Sequence, residues 1–96
     1  MQIVFLARAK RDLRWFKLYY TKTFPEGRAK ANSQFLTTQQ LLGANPHIGH
    51  PSERVIGVRE YHIPRIPFSF LYRVKKDRIE ILRVLDTRAD FTSNDW

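Results

Sequence analysis

The residues able to do chemistry are few, and spacing alone sets most of them aside. His47-Ile48-Gly49-His50 brings two imidazoles close together, as nucleotidyl-transferring enzymes do to steady charge on a moving phosphate. That chemistry needs a far larger nucleotide-binding domain and a glycine-rich phosphate loop, and this sequence has neither. The motif reads as a turn. Two loop histidines without a third ligand at a recognisable spacing do not make a metal site, so no metal and no cofactor is expected. Ser33, Ser52, Ser69 and Ser93 supply hydroxyls, but none lies in a nucleophile-elbow sequence. Glu60 and Glu80, expected on adjacent strands, are the pair available for two-carboxylate chemistry. On a solvated sheet they read instead as partners of cross-strand arginines.

The arginines are harder to set aside. Arg59, Arg65, Arg73, Arg83 and Arg88 lie on, or at the exits of, the strand-like runs of the C-terminal half. Strands that pair side by side bring such residues toward one basic face, where guanidinium groups bind phosphate. Tyr19, Tyr20, Tyr61 and Tyr72 offer rings for base stacking in such a groove, with core packing as the ordinary alternative. Glu60, Asp77, Glu80 and Asp86 are available to neutralise the arginines.

The charge of the whole chain points the same way. Its 96 residues include 17 Lys and Arg against 9 Asp and Glu, a net charge of +8. A partner for such a chain is acidic or a polyanion. Between Arg8 and Lys30 the bases Arg8, Lys10, Arg11, Arg14, Lys17, Lys22, Arg28 and Lys30 face only Asp12 and Glu26. Cysteine is absent, which excludes thiol chemistry, disulfides and Cys-ligated zinc. No apolar run approaches the roughly 20 residues that span a bilayer. The first apolar stretch is cut short by Arg8, Lys10 and Arg11, so neither a membrane contact nor a secretory leader is expected, and the location is cytoplasmic.

These side chains need elements to position them. Residues 2–6 form a short, mostly buried strand. From about Ala9, Leu13, Phe16, Tyr20 and Phe24 make one stripe of a helix, which Pro25 ends. Pro25 and Glu26 suit the first turn of a second helix running to about Leu42, with Ala31, Phe35 and Leu42 inward and Gly43 as its stop. A loop over 43–51 leads to strands over 55–62, 68–74 and 78–85. On the second of these Phe68, Phe70, Tyr72 and Val74 share a face. On the third, Ile79, Ile81 and Leu85 lie opposite Leu82 and Val84. Lys75-Lys76-Asp77 implies an antiparallel hairpin, and Pro64 and Pro67 keep 63–67 out of a central strand. Residues 89–96 read as a polar tail with Phe91 and Trp96 as apolar anchors. The result is one α+β domain over 1–96, ordered βααβββ, with a helical hairpin packed on a small, mainly antiparallel sheet.

In this order, several segments resemble the RelE/ParE toxin superfamily. They are the helix start Ala9-Lys10-Arg11-Asp12-Leu13, the loop Asn45-Pro46-His47-Ile48-Gly49, and three strand runs: Gly57-Val58-Arg59-Glu60-Tyr61, Phe70-Leu71-Tyr72-Arg73-Val74 and Ile79-Glu80-Ile81-Leu82-Arg83-Val84-Leu85. The likeness covers nearly the whole chain. It implies the toxin half of a bacterial type II toxin–antitoxin module, of the kind that serves plasmid stabilisation and inhibits growth once its labile antitoxin is lost. RelE-like members cut mRNA on the ribosome, holding phosphate with basic sheet residues and moving a proton with a His or Tyr near the end of the last strand. ParE-like members poison DNA gyrase and lack that set.

Here Ser69 stands where nucleases often carry an arginine, and Asp86 where many carry a histidine. A carboxylate beside a scissile phosphate repels it. The resemblance therefore implies a ParE-like gyrase poison that acts by binding. The alternative is a ribosome-dependent mRNA endonuclease with Arg59, Arg73, Arg83 and Arg88 as phosphate-binding candidates, and no residue is assigned as catalytic. The cognate antitoxin is expected to be acidic, with apolar anchors, and to contact Arg8, Arg11, Arg14, Lys17 and Tyr72.

Overall fold

The computed structural model describes residues 1–88, so the tail over 89–96 with Phe91 and Trp96 lies outside the described residues. Strand β1 (Gln2–Phe5) leads directly into helix α1 (Ala7–Leu18). A π-helical turn (Tyr19–Thr23) and a 3₁₀ turn (Pro25–Gly27) join it to α2 (Arg28–Ala44). Then follow β2 (His50–Pro51), β3 (Arg59–His62), β4 (Phe68–Val74) and β5 (Arg78–Asp86). The strands lie in the order β1-β5-β4-β3-β2. β1 runs parallel to β5, with Gln2 opposite Arg78 and Phe5 opposite Ile81, while every other pair is antiparallel. The architecture is α+β, two helices on a mixed sheet.

Four local expectations are corrected. The strand expected over 55–62 shortens to β3, because residues 52–58 close on themselves. The Ser52 N–H donates to the Val58 carbonyl at 2.7 Å. The Ser52 hydroxyl accepts from the N–H groups of Arg54 and Val55. Gly57 turns the tip at φ 80°, leaving Ile56 fully exposed. The edge beyond β3 is taken by β2, where the missing N–H of Pro51 costs little.

Gly43 lies inside α2 and does not end it. The N-terminal ammonium of Met1 donates to the Gly43 carbonyl at 2.9 Å. A Cβ there would stand 3.1 Å from the Met1 carbonyl oxygen, so glycine serves the close approach of β1.

Phe24 leaves the helical stripe. Phe16 and Tyr20 are buried and Leu13 is half-buried, but the wide π turn, closed by the Phe24 N–H on the Tyr19 carbonyl at 2.8 Å, carries Phe24 outward. Lastly, the register of β4 on β5 slips. Leu71 faces Arg83 and Tyr72 faces Ile81, so Leu82 bulges. Beyond the bulge the faces swap. Val84 joins Ile79 and Ile81 in the main core, while Leu82 and Leu85 turn to the other side.

The main core is aromatic. Phe16 packs on Phe68 at 5.0 Å between ring centroids, on Phe35 at 5.1 Å and on Tyr20 at 5.1 Å. Each buried phenyl ring stabilises the fold by roughly 1.5–3 kcal/mol. A smaller cluster of Val58, Leu71 and Leu85, flanked by Val55 and Leu82, lies on the opposite face of the sheet. The helices cover one face; the loop over 52–58 covers only part of the other.

Candidate functional site

The strand arginines do not converge. Arg59 reaches into the preceding loop, donating to the carbonyls of Gly49 at 2.6 Å and His47 at 3.3 Å. Arg73 crosses the hairpin to the buried Glu80 at 2.6 Å, and Arg78 approaches the other oxygen of that carboxylate at 2.9 Å. The Arg73 hydrogen bond and the neighbouring Arg78 hold the Glu80 carboxyl below its ordinary range against the opposing effect of burial. Arg83 presents its fork to Asp12 of α1 at 2.8 and 3.0 Å. Arg88 grips Asp86 at 2.9 and 2.8 Å, donates to the Tyr19 hydroxyl at 2.6 Å, and lies 4.2 Å over the Tyr19 ring. The expected phosphate groove is therefore corrected. Arg59 faces Tyr72 on the helix-covered side, Arg73 faces Glu80 on the other, and each of the four is already engaged. Glu60 and Glu80 are likewise not neighbours, because β4 runs between their strands.

The exit of β5 is built around Asp86. Its carboxylate accepts from the Arg88 side chain, from the Arg88 N–H at 3.0 Å and from the Trp15 indole at 3.0 Å. Burial would push its carboxyl up, but these hydrogen bonds outweigh burial and hold it below the ordinary aspartate value. Ser69 is buried, with its hydroxyl 3.2 Å from Nδ1 of His62. The sequence gives one overlooked signal for this end of the molecule: Asp12, Trp15 and Tyr19 fall on one face of α1 and its continuation, and all three meet β5 or its exit.

Tyr72, an expected antitoxin contact and stacking ring, is also corrected. It is buried completely. Its hydroxyl donates to the Pro46 carbonyl at 2.8 Å and accepts the Gly49 N–H at 2.9 Å. Burial raises its pKa, and the opposing pull of the Gly49 N–H and Arg59 does not reverse this, so the hydroxyl stays a neutral donor. The His47–His50 motif is a turn pinned from below by Tyr72 and Arg59. Among the described residues, no three His, Asp or Glu are placed to hold a metal ion.

The other expected antitoxin contacts lie together on α1. Arg11, Arg14 and Lys17 are exposed, and between them Trp15 and Leu18 stand 44% and 49% exposed. One turn earlier, Arg8 borders an apolar groove of about 280 Å³ walled by Leu6, Val55, Leu71 and Leu82. Basic and apolar groups are thus interspersed over the outer side of α1, with Arg8 toward one flank and Lys17 toward the other.

A helical hairpin on a mixed sheet is the architecture that the resemblance to toxins of type II toxin–antitoxin modules implies. Residues 3–91 match the family model described as ParE toxin of type II toxin-antitoxin system, parDE. The chain belongs to the ParE toxin family. Among solved structures it is similar to one described as the chromosomal ParDE TA system from P. aeruginosa. The two share 36% sequence identity and a TM-score of 0.69 over 88% of this chain and 92% of that one. No curated protein sequence matches significantly. Among the described residues no helix is long and apolar enough to cross a membrane.

Proposed function

We propose that this chain arrests bacterial growth by binding and poisoning DNA gyrase, and that an acidic cognate antitoxin neutralises it. Family membership supports the growth-arrest reading. The observation that favours binding over RNA hydrolysis is the state of Asp86. A general base must offer a free lone pair to the 2′-hydroxyl it deprotonates. Asp86 instead commits both carboxylate oxygens to Arg88 and Trp15. Arg59, Arg73 and Arg83 are bound to carbonyls or carboxylates, so freeing any of them for a phosphate breaks an existing contact.

The antitoxin is seated, in this reading, along Arg8, Arg11, Arg14 and Lys17, with its apolar anchors in the groove beside Arg8. The test is induction of the chain alone in a bacterium, with mRNA 5′ ends mapped within minutes and gyrase–DNA complexes trapped in parallel. Growth arrest with trapped gyrase and no new mRNA ends is expected. New ends at defined codon positions overturn the proposal in favour of a nuclease.

A further inference from the structure

We infer that the cleft at the bend of the helical hairpin binds single-stranded nucleic acid, with a base stacked on Phe24 and phosphates held by Arg65 and Lys30. The inference is independent of the choice between gyrase and mRNA as target. The cleft, about 290 Å³, is walled by Tyr19, Tyr20, Phe24 and Pro67, with Lys30 and Arg65 at its rim.

Three features build it. The π turn moves Phe24 off the core stripe, so that a large aromatic ring is 45% exposed. Gly27 lets that ring lie against the backbone, since a Cβ at this position would overlap it. Arg65 sits in the left-handed region at φ 71°, between Pro64 and Pro67, a conformation that residues with a Cβ avoid.

Charge separates this cleft from the strand arginines. Arg59, Arg73, Arg83 and Arg88 are neutralised or tied to carbonyls. Among the described residues neither Lys30 nor Arg65 has an ion-pair partner. Among the described residues Glu26 is the one carboxylate lining the cleft, and exposed Lys22 and Arg28 flank it in the chain. Tyr20 is buried and Tyr19 already carries Arg88 on its ring, so the available platform is Phe24 alone. One open ring among several cations is too little apolar surface for the core of a protein interface. It is the pattern of a stacking platform with phosphate contacts.

The experiment titrates the purified full chain into short fluorescent oligo(dU) and oligo(U), which differ in the 2′-hydroxyl, and follows anisotropy at several salt concentrations. Phe24→Ala and Arg65→Gly are each expected to weaken binding roughly fivefold or more. Arg65→Gly should also lower the salt slope by about one. Because glycine suits a positive φ, the backbone keeps its geometry in Arg65→Gly, and thermal midpoints of both variants, measured alongside, separate lost binding from lost fold. Tighter binding of oligo(dU) identifies DNA as the ligand, and tighter binding of oligo(U) identifies RNA. Absence of binding, affinities unchanged in both variants, or equal competition by polyglutamate overturns the inference.

Discussion

Asp12 on α1 and Arg83 on β5 are joined by a two-pronged ion pair at 2.8 and 3.0 Å, and the same carboxylate accepts the Val84 N–H at 2.9 Å. The contact falls just past Ile81, the last residue of β5 paired with β1, so Asp12 satisfies sheet edge that no strand covers. Both side chains are mostly buried, at 19% and 16% exposure. Removing one partner strands the other, at a cost of about 2–3 kcal/mol. Asp12→Ala should lower the urea midpoint accordingly, and Asp12→Ala with Arg83→Leu should recover part of the loss. Equal stability of Asp12→Ala and the parent chain would show the bridge to be idle.

Acid should weaken the fold through Glu80 and Asp86. Both carboxyls are held below their ordinary values in the folded chain, Glu80 first by Arg73, and Asp86 by Arg88 and Trp15 against the pull of burial. At low pH the unfolded chain therefore binds more protons, and stability rises with pH. The contribution is complete above the ordinary carboxylate range, roughly pH 4, and is lost as pH falls below it. Urea unfolding followed from neutral pH downward should show this acid limb, and Glu80→Gln with Asp86→Asn should flatten it.

Tyr72→Phe deletes the hydroxyl between Pro46 and Gly49 and leaves the buried Gly49 N–H without its acceptor. The expected loss is about 1–3 kcal/mol. Hydrogen exchange of the Gly49 amide should quicken before the core amides respond. Gly49→Ala should be worse, since its Cβ would lie 2.6 Å from the Tyr72 hydroxyl and 2.8 Å from the Glu60 carbonyl oxygen.

Arg65→Gly should stabilise the chain by about 1 kcal/mol, because the left-handed backbone penalises any residue with a Cβ. Thermal unfolding reads this directly. A lower midpoint would mean that the Arg65 side chain, exposed in the structure, contributes more than its backbone costs.

Association with the antitoxin should be electrostatically steered. Charge reversal of the exposed Arg11 and Arg14 together is expected to slow association by about tenfold, with a smaller change in dissociation. Added salt should act in the same direction. Stopped-flow mixing with the antitoxin separates the two rates, and an unchanged association rate would remove α1 from the encounter surface.

Patterns that repeat within a few residues were legible in the sequence. The Phe16–Tyr20 stripe, the alternation of Phe68, Phe70 and Tyr72, and the hairpin at Lys75-Lys76-Asp77 all fold as their spacing directs. A bulge adds one residue without changing residue type, so Leu82 gave no sign of reversing the faces of β5. Val55, Ile56 and Val58 look like a strand, and only the Ser52 side chain and Gly57 make them a loop. The basic face of α1 was legible because one helix carries it. The neutralisation of the arginines was not, because Asp12 lies 71 residues from Arg83 and nothing local announces the pair.

The parallel pairing of Gln2–Phe5 with β5 also sets a schedule. Helix α1 packs chiefly on β5, so the helical hairpin lacks its main support until that strand is made. The first strand waits too, because among the described residues its one neighbour in the sheet is β5. Ile3 and Phe5 must wait through a long loop closure, the slowest kind of contact for a small domain to form. A growing chain on the ribosome therefore holds an open sheet and a half-built core until β5 emerges, and only then does the finished surface exist for any partner to meet.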